Sequence, residues 1–170
     1  MAETIVNKVA QSSLVTIDFD EYIDPSLFVF FDLKPFLFQE MILKEKDFRQ
    51  AIKAYDWLGF KDKVVIVGCS NDAIIPSWAY MLLTVKLSTV ARDIRYGQEE
   101  DVELAKVDYA LAEIAKQDFK NKKVVVKGCG NLEARNYAYT QITKMLVTDV
   151  SSLMYGEPCS TVPVYKAPKS

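Results

Sequence analysis

Three cysteines are the residues of this sequence best suited to chemistry. Cys69, Cys129 and Cys159 stand in a chain with no histidine, which excludes Ser–His and Cys–His dyads and imidazole metal ligands. An odd number of cysteines without closely spaced pairs is not typical of a disulfide framework. The thiols are therefore expected to act as metal ligands, as redox-active nucleophiles or as small buried hydrophobic residues.

An internal repeat gives two of these cysteines the same setting. Residues 63–71 (KVVIVGCSN) match residues 123–131 (KVVVKGCGN), and both segments contain a Gly-Cys-x-Asn turn. After a slip of one residue the match continues, with residues 78–80 corresponding to residues 137–139. Self-similarity of this kind indicates a duplicated structural unit.

Each copy of the repeat, at about 47–97 and 108–156, predicts the same order of elements. A helix precedes a short run of β-branched residues, which suits a strand buried on both faces. The Gly-Cys-x-Asn turn, a second helix and a short strand ending in Tyr-Gly then follow. A strand–helix–strand unit of this length predicts a right-handed crossover that joins two parallel strands.

The sequence therefore predicts an α/β fold for residues 1–170. We expect a single domain with a mostly parallel sheet built from two βαβ-like repeats, with extra N-terminal strands at 14–19 and 27–31. The tail at 158–170 has three prolines and no periodicity, so no regular element is predicted there. An aromatic-rich block at 28–38 indicates core or the face of a homodimer.

This topology predicts that the three cysteines meet. Cys69 and Cys129 each follow a predicted strand, and Cys159 follows the last one, so all three are expected at the carboxyl edge of the sheet, where open α/β sheets bind ligands. Backbone N–H groups and the positive end of a helix dipole favour thiolate at such an edge. Six further residues are expected to shape or support this site: Gly68, Asn71, Gly128, Asn131, Tyr96 and Tyr155.

Three convergent thiolates make a metal ion or an iron–sulfur cluster the leading functional hypothesis. Zinc requires a fourth ligand, for which the nearest carboxylates are Asp72, Glu133 and Glu157. A [4Fe–4S] cluster on three cysteines leaves one iron open. Two alternatives stay open: a thiol redox or sulfur-transfer protein, and a non-metal scaffold or interaction protein with structural cysteines. The sequence is compatible with zinc, with a cluster or with no cofactor. It is also compatible with an enzyme or with a protein that catalyses no reaction.

Composition restricts the partners. The 21 Lys and Arg residues against 23 Asp and Glu residues give a net charge of −2, so nucleic acid is not expected as a partner. No apolar run approaches the ~20 residues of a membrane span, so no membrane partner is expected either. Without a visible secretory signal, the cytoplasm is the expected location.

Three segments carry a resemblance to a known family. Residues 68–76 (GCSNDAIIP), 78–83 (WAYMLL) and 154–163 (MYGEPCSTVP) are similar to the bacterial family catalogued as domain of unknown function 2480, and the resemblance covers nearly the whole chain. It implies no activity and no defined site residues. It does imply a link with chromosomal neighbourhoods that hold iron–sulfur cluster assembly genes, and hence iron–sulfur assembly proteins as partners.

Overall fold

A computed structural model describes three stretches of the chain: residues 14–128, 130–157 and 159–168. These residues belong to two compact units, each with its own sheet. Unit 1 contains the residues up to Ile23 and those from Val107 onward, and unit 2 is Asp24–Lys106. One copy of the sequence repeat falls mainly in each unit.

The helices and strands of the described residues are numbered in chain order. They are β1 Leu14–Ile17, β2 Phe28–Asp32, α1 Glu45–Ala54, β3 Val64–Gly68, α2 Ser77–Leu87, β4 Asp93–Tyr96, α3 Asp101–Ile114, β5 Lys123–Val126, α4 Arg135–Leu146, β6 Ser152–Glu157 and β7 Ser160–Lys166. The predicted order of helix, strand, helix and strand is present in both copies of the repeat. None of these helices is long and apolar enough to cross a membrane.

Unit 2 contains a three-stranded parallel sheet in the order β2-β3-β4. Every residue of the central strand β3 is buried, as its β-branched sequence predicted. Across the sheet, Phe31 pairs with Val67, and Val67 pairs with Tyr96. The N-terminal strand β2 therefore forms one edge of this sheet.

Unit 1 repeats this arrangement and adds a strand. Its sheet has the order β1-β5-β6-β7, with the first three strands parallel and β7 antiparallel to β6. Ile17 pairs with Val126, and Val126 pairs with Tyr155. These three residues correspond to Phe31, Val67 and Tyr96 of unit 2. The predicted α/β class with mostly parallel strands is confirmed, although the strands are divided between two sheets.

The second helices of the two copies bury equivalent faces. In α2 the buried residues are Ala79, Leu83 and Leu87, and in α4 they are Ala138, Ile142 and Leu146. Residues four apart lie on one side of a helix, so each helix covers its own sheet with a single apolar stripe. The duplication seen in the sequence therefore extends to the cores.

The tail differs from its prediction. Residues expected to lack regular structure form β7 at Ser160–Lys166. Pro163 is tolerated in this strand because β7 is the outermost strand of its sheet. A proline lacks a backbone N–H, and on an edge strand its nitrogen can face away from the neighbouring strand without the loss of a hydrogen bond. Prolines alone were therefore a poor guide to the end of the fold.

Candidate functional site

The predicted thiolate ligands do not form a cluster in the described part of the chain. Cys69 follows β3 in unit 2 and is buried, whereas Cys159 lies in the turn between β6 and β7 of unit 1 and is exposed. Cys129 lies outside the described residues. The expected convergence assumed one sheet, but Cys69 and Cys159 follow strands of different sheets.

The predicted metal-binding or cluster-binding function is therefore wrong. Among residues 14–128, 130–157 and 159–168, no group of three or more His, Cys, Asp or Glu side chains could hold a metal ion. The carboxylates expected to supply a fourth ligand belong to no such group either: Asp72, Glu133 and Glu157. The error arose from the number of sheets, which the strand pattern alone does not determine.

A pair of tyrosines recurs at the same place in both units. The rings of Tyr80 and Tyr96 meet edge to face, with 5.3 Å between centroids and 83° between planes. The rings of Tyr139 and Tyr155 meet in the same way at 5.2 Å and 78°. In each pair one ring comes from the second helix and the other from the last parallel strand. This geometry is favoured because the positive edge of one ring faces the negative face of the other.

Tyr80 on α2 is a neighbour of Cys69. Burial raises the pKa of Tyr80, and the neighbouring Tyr96 and Cys69 raise it further. The phenol is therefore protonated and neutral at neutral pH. The Cys69 thiol accordingly lies beside an aromatic pair in a buried setting, which is typical of a packed cysteine.

An aspartate lies at the carboxyl end of the first strand of each sheet, a feature that the sequence analysis missed. In unit 1, Asp18 Oδ2 lies 2.8 Å from Lys127 Nζ. The hydrogen bond with Asp18, followed by the charge of Asp18, raises the pKa of Lys127. In unit 2 the corresponding residue is Asp32, the last residue of β2. The signal was present in the sequence, since Ile17-Asp18 and Phe31-Asp32 each end an apolar run.

The Asp32 carboxylate fixes the Gly-Cys-Ser-Asn turn to β2. Oδ1 accepts hydrogen bonds from the backbone N–H of Ser70 at 3.0 Å and of Lys34 at 2.9 Å. Oδ2 accepts from the Ser70 hydroxyl at 2.6 Å. Burial alone would raise the pKa of Asp32, but the hydrogen bonds from Ser70 and Lys34 and the charge of Lys34 together lower it. The carboxylate form is therefore the one that the folded state stabilises.

We expect the stability lost in an Asp32→Asn variant to depend on pH. A carboxyl whose folded-state pKa is lowered stabilises the fold above its unfolded pKa of about 3.9. This stabilisation is lost as the pH falls through the lower folded-state pKa. Urea unfolding of the wild type and the variant should therefore show a difference that is largest near neutral pH and shrinks in acid.

The control for this experiment is Asp72→Asn, which changes an exposed carboxylate in the same turn. Its free energy of unfolding should stay within about 0.5 kcal/mol of the wild type at neutral pH. A difference between Asp32→Asn and the wild type that stayed constant down to acid pH would contradict the role given to the carboxylate.

Two of the predicted turn residues, Gly128 and Asn71, make close contacts, and neither predicted asparagine caps the helix after its turn. A Cβ atom at Gly128 would lie 2.6 Å from the Tyr155 hydroxyl, so glycine lets this tyrosine lie against the turn. The Asn71 amide donates to the backbone carbonyl of Glu40 and so holds a loop. Neither Asn71 nor Asn131 is the N-cap residue of the helix that follows it.

A cleft in unit 1 lies between α4 and the strands β5, β6 and β7. Its volume is about 550 Å³, within the range of about 300–1,000 Å³ typical of small-molecule sites. The buried side chains of Val126, Ile142 and Leu153 contribute to its lining. The cleft therefore has the size and the apolar lining of a ligand site.

Two polar groups on this cleft have no hydrogen-bond partner among the described residues, namely the Tyr155 hydroxyl and the Asn136 amide. The other hydroxyls are already engaged. Those of Thr140 and Thr143 donate to backbone carbonyls of α4 at 2.7 and 2.6 Å. The Tyr139 hydroxyl donates to a backbone carbonyl just after β5 at 3.1 Å. A ligand would therefore find two polar groups at defined positions.

The added strand β7 distinguishes this cleft from the equivalent region of unit 2. Val164 of β7 supplies part of the cleft wall. Tyr155 on β6 is 38% exposed, whereas its counterpart Tyr96, at the edge of a three-stranded sheet, is 74% exposed. The duplicated units therefore diverge in the element that lines the cleft.

Comparisons with known proteins agree with the resemblance seen in the sequence. A family model described as "Protein of unknown function (DUF2480)" matches residues 3–167. No curated protein and no solved structure matches the chain. The chemistry of the cleft is therefore the starting point for a functional proposal.

Proposed function

We propose that this chain, which belongs to the DUF2480 family of proteins of unknown function, is a binding protein for a small neutral molecule. The ligand would occupy the cleft between α4 and the strands β5, β6 and β7. One observation carries the proposal: an apolar cleft of about 550 Å³ has two polar groups on its surface without partners among the described residues.

The lining residues define the chemistry of the ligand. No Lys, Arg, Asp or Glu lines the cleft within the described residues, so a neutral ligand is favoured over an ion. Its apolar part would pack against Leu153 and the thioether of Met154, a side chain that adapts to irregular shapes. Its polar part would exchange hydrogen bonds with Tyr155 and Asn136, which fix its orientation.

The position of the cleft in the sheet also supports this function. Val126 and Tyr155, which pair with each other, lie toward the carboxyl ends of two parallel strands. Ligands of open α/β sheets bind at this end, because the strands stop there and the following turns leave a crevice.

A neutral fluorescent probe tests the proposal directly. We expect N-phenyl-1-naphthylamine to bind the wild type with a rise in fluorescence, and to bind a Thr143→Phe variant at least tenfold more weakly. Thr143 is half-buried on the cleft, so a phenyl group at this position occupies the volume that the probe needs. The measurement is a fluorescence titration of each protein after its fold has been checked by circular dichroism.

The repeat supplies a matched control, Thr84→Phe. Thr84 occupies the corresponding position on α2, where its hydroxyl donates to the Tyr80 carbonyl as that of Thr143 donates to the Tyr139 carbonyl. This variant should bind the probe like the wild type. Equal binding by the Thr143→Phe variant, or no binding by the wild type, would refute the proposal, because open apolar cavities of this size accept neutral aromatic probes.

A further inference from the structure

A second cavity, separate from the cleft of the proposed function, lies in unit 2. Its volume is about 270 Å³, and it runs alongside β2, which is an edge strand of its sheet. Aromatic rings supply most of its walls, among them Phe36, Tyr55 and Phe60. The carboxylate-bearing residue Asp32 lines the same cavity.

The rings of this cavity are held in place by a larger aromatic cluster. Phe31 is buried at its centre, with ring centroids 5.8 Å from Phe36, 5.6 Å from Tyr55 and 5.5 Å from Phe60. The ring of Trp57 lies 4.9 Å from that of Tyr55 and is itself fixed by a hydrogen bond from Nε1 to a backbone carbonyl. The cavity walls are therefore positioned before any ligand binds.

The walls nevertheless keep open aromatic surface. Phe36 and Phe60 are only half-buried, and Tyr55 is 39% exposed. Rings that served only to fill a core would be covered, as Phe31 is. An aromatic ring carries negative charge density on its faces, so exposed rings around a small cavity offer an attractive surface to a cation.

Asp32, which lines the same cavity, supplies a negative charge close to these rings. Asp32 is held by hydrogen bonds from Ser70 and from the backbone N–H of Lys34, so its position is defined. Oδ2 accepts one hydrogen bond among the described residues, from the Ser70 hydroxyl, and retains accepting capacity. Aromatic faces and a carboxylate together favour a cation that also has apolar surface.

We propose that the cavity beside β2 is a binding site for an alkylated ammonium group, held by Phe36, Tyr55 and Phe60 and paired with Asp32. Methyl groups spread the positive charge of such a cation and remove its N–H donors, so it loses little hydration when it enters an aromatic cavity. A primary ammonium keeps three donors that the rings cannot satisfy. A neutral apolar group would leave the carboxylate charge without a counterpart.

A pair of probes of the same shape tests this inference. Choline and 3,3-dimethyl-1-butanol differ only in the charged nitrogen, which the second compound replaces by carbon. We expect choline to bind the wild type at least tenfold more tightly than the uncharged compound in calorimetric titrations. Equal binding of the two would overturn the inference, because the cavity would then select only apolar shape. No binding of choline at millimolar concentrations would overturn it as well.

Two variants assign the binding to this cavity. Asp32→Asn should remove the preference for choline over the uncharged compound, and Tyr55→Ala should weaken choline binding about tenfold. The controls are Asp56→Asn, a carboxylate outside the cavity lining, and Tyr96→Ala, an exposed tyrosine elsewhere in unit 2. Choline binding that persists in both Asp32→Asn and Tyr55→Ala would place it elsewhere and contradict the inference.

The source of the cation is resolved by one further comparison. Trimethyllysine as a free amino acid and a short peptide that contains it carry the same head group. Tighter binding of the peptide would identify a modified protein side chain as the ligand, with the edge strand β2 available to the peptide backbone. Equal binding would identify a small metabolite. Both outcomes are independent of the probe experiment on the cleft in unit 1.

Discussion

Replacing Gly68 by alanine is expected to lower the free energy of unfolding by about 3 kcal/mol or more. An added Cβ atom would lie 2.0 Å from the backbone oxygen of Gly97 and 2.9 Å from a ring carbon of Phe30. The Gly97 oxygen cannot move aside cheaply, because the N–H of Gly97 donates to the Val67 carbonyl and holds the end of β4 against β3. The two strand ends would have to separate.

Urea unfolding followed by circular dichroism measures this loss, and Gly59→Ala provides the control. A Cβ atom at Gly59 would have no heavy atom within 4 Å. The control should therefore remain within about 0.5 kcal/mol of the wild type. If Gly68→Ala unfolded at the same urea concentration as Gly59→Ala, the close approach of these strand ends would be disproved.

The second large effect is expected for Phe31→Ala, which should cost about 3–5 kcal/mol of stability. Phe31 is 3% exposed, and four aromatic rings have their centroids within 6 Å of its own. Its removal leaves a void that the surrounding rings cannot all fill, because three of them, which follow α1, also pack against one another: Tyr55, Trp57 and Phe60. Thermal and urea denaturation should both report the loss.

Phe38→Ala is the matched control for this substitution. Phe38 belongs to the same aromatic-rich block, but it is 45% exposed. The Lys44 ammonium lies over the face of its ring in a cation–π contact. Its removal should cost no more than about 1 kcal/mol. Similar losses for the two variants would show that the cluster around Phe31 is not the packing centre of unit 2.

The order of elements could be predicted because the signals for it are local. The runs Val64–Val67 and Val124–Val126 are β-branched, bounded by polar and glycine residues, and both are buried strands in the structure. The alignment of the two repeats in the structure was harder to predict from the sequence. The sequence match aligns Val67 with Lys127, whereas the sheet rows align Val67 with Val126, since these residues pair with Tyr96 and Tyr155.

Strand neighbours could not be predicted, because pairing between distant segments leaves no local pattern. β1 pairs with β5 and β2 pairs with β3, so two adjacent N-terminal strands enter different sheets. The expected meeting of Cys69 with Cys159 depended on this information. A hydrophobic pattern identifies a strand and its buried faces, but it does not identify the strand beside it.

The residues that line the cleft could be predicted only in part from the sequence. Tyr155 attracted notice because it precedes a glycine in both copies of the repeat, and it does line the cleft. Val164 did not, because its strand contains a proline and was expected to be irregular. Asp18 and Asp32 were missed because a charged residue after an apolar run is also typical of a solvent-exposed turn.

Because β1 pairs with β5, the two units are expected to fold one after the other during synthesis. A ribosome releases all of Asp24–Lys106 before it releases Lys123–Val126, so unit 2 has its complete sheet while β1 still lacks its partner strand. Segments that are complete in themselves fold first as the chain emerges. Pairing β1 then requires closure of a long loop, which is entropically costly and slow. Truncated chains that end before β5 should accordingly hold a folded unit 2 and an unpaired first strand.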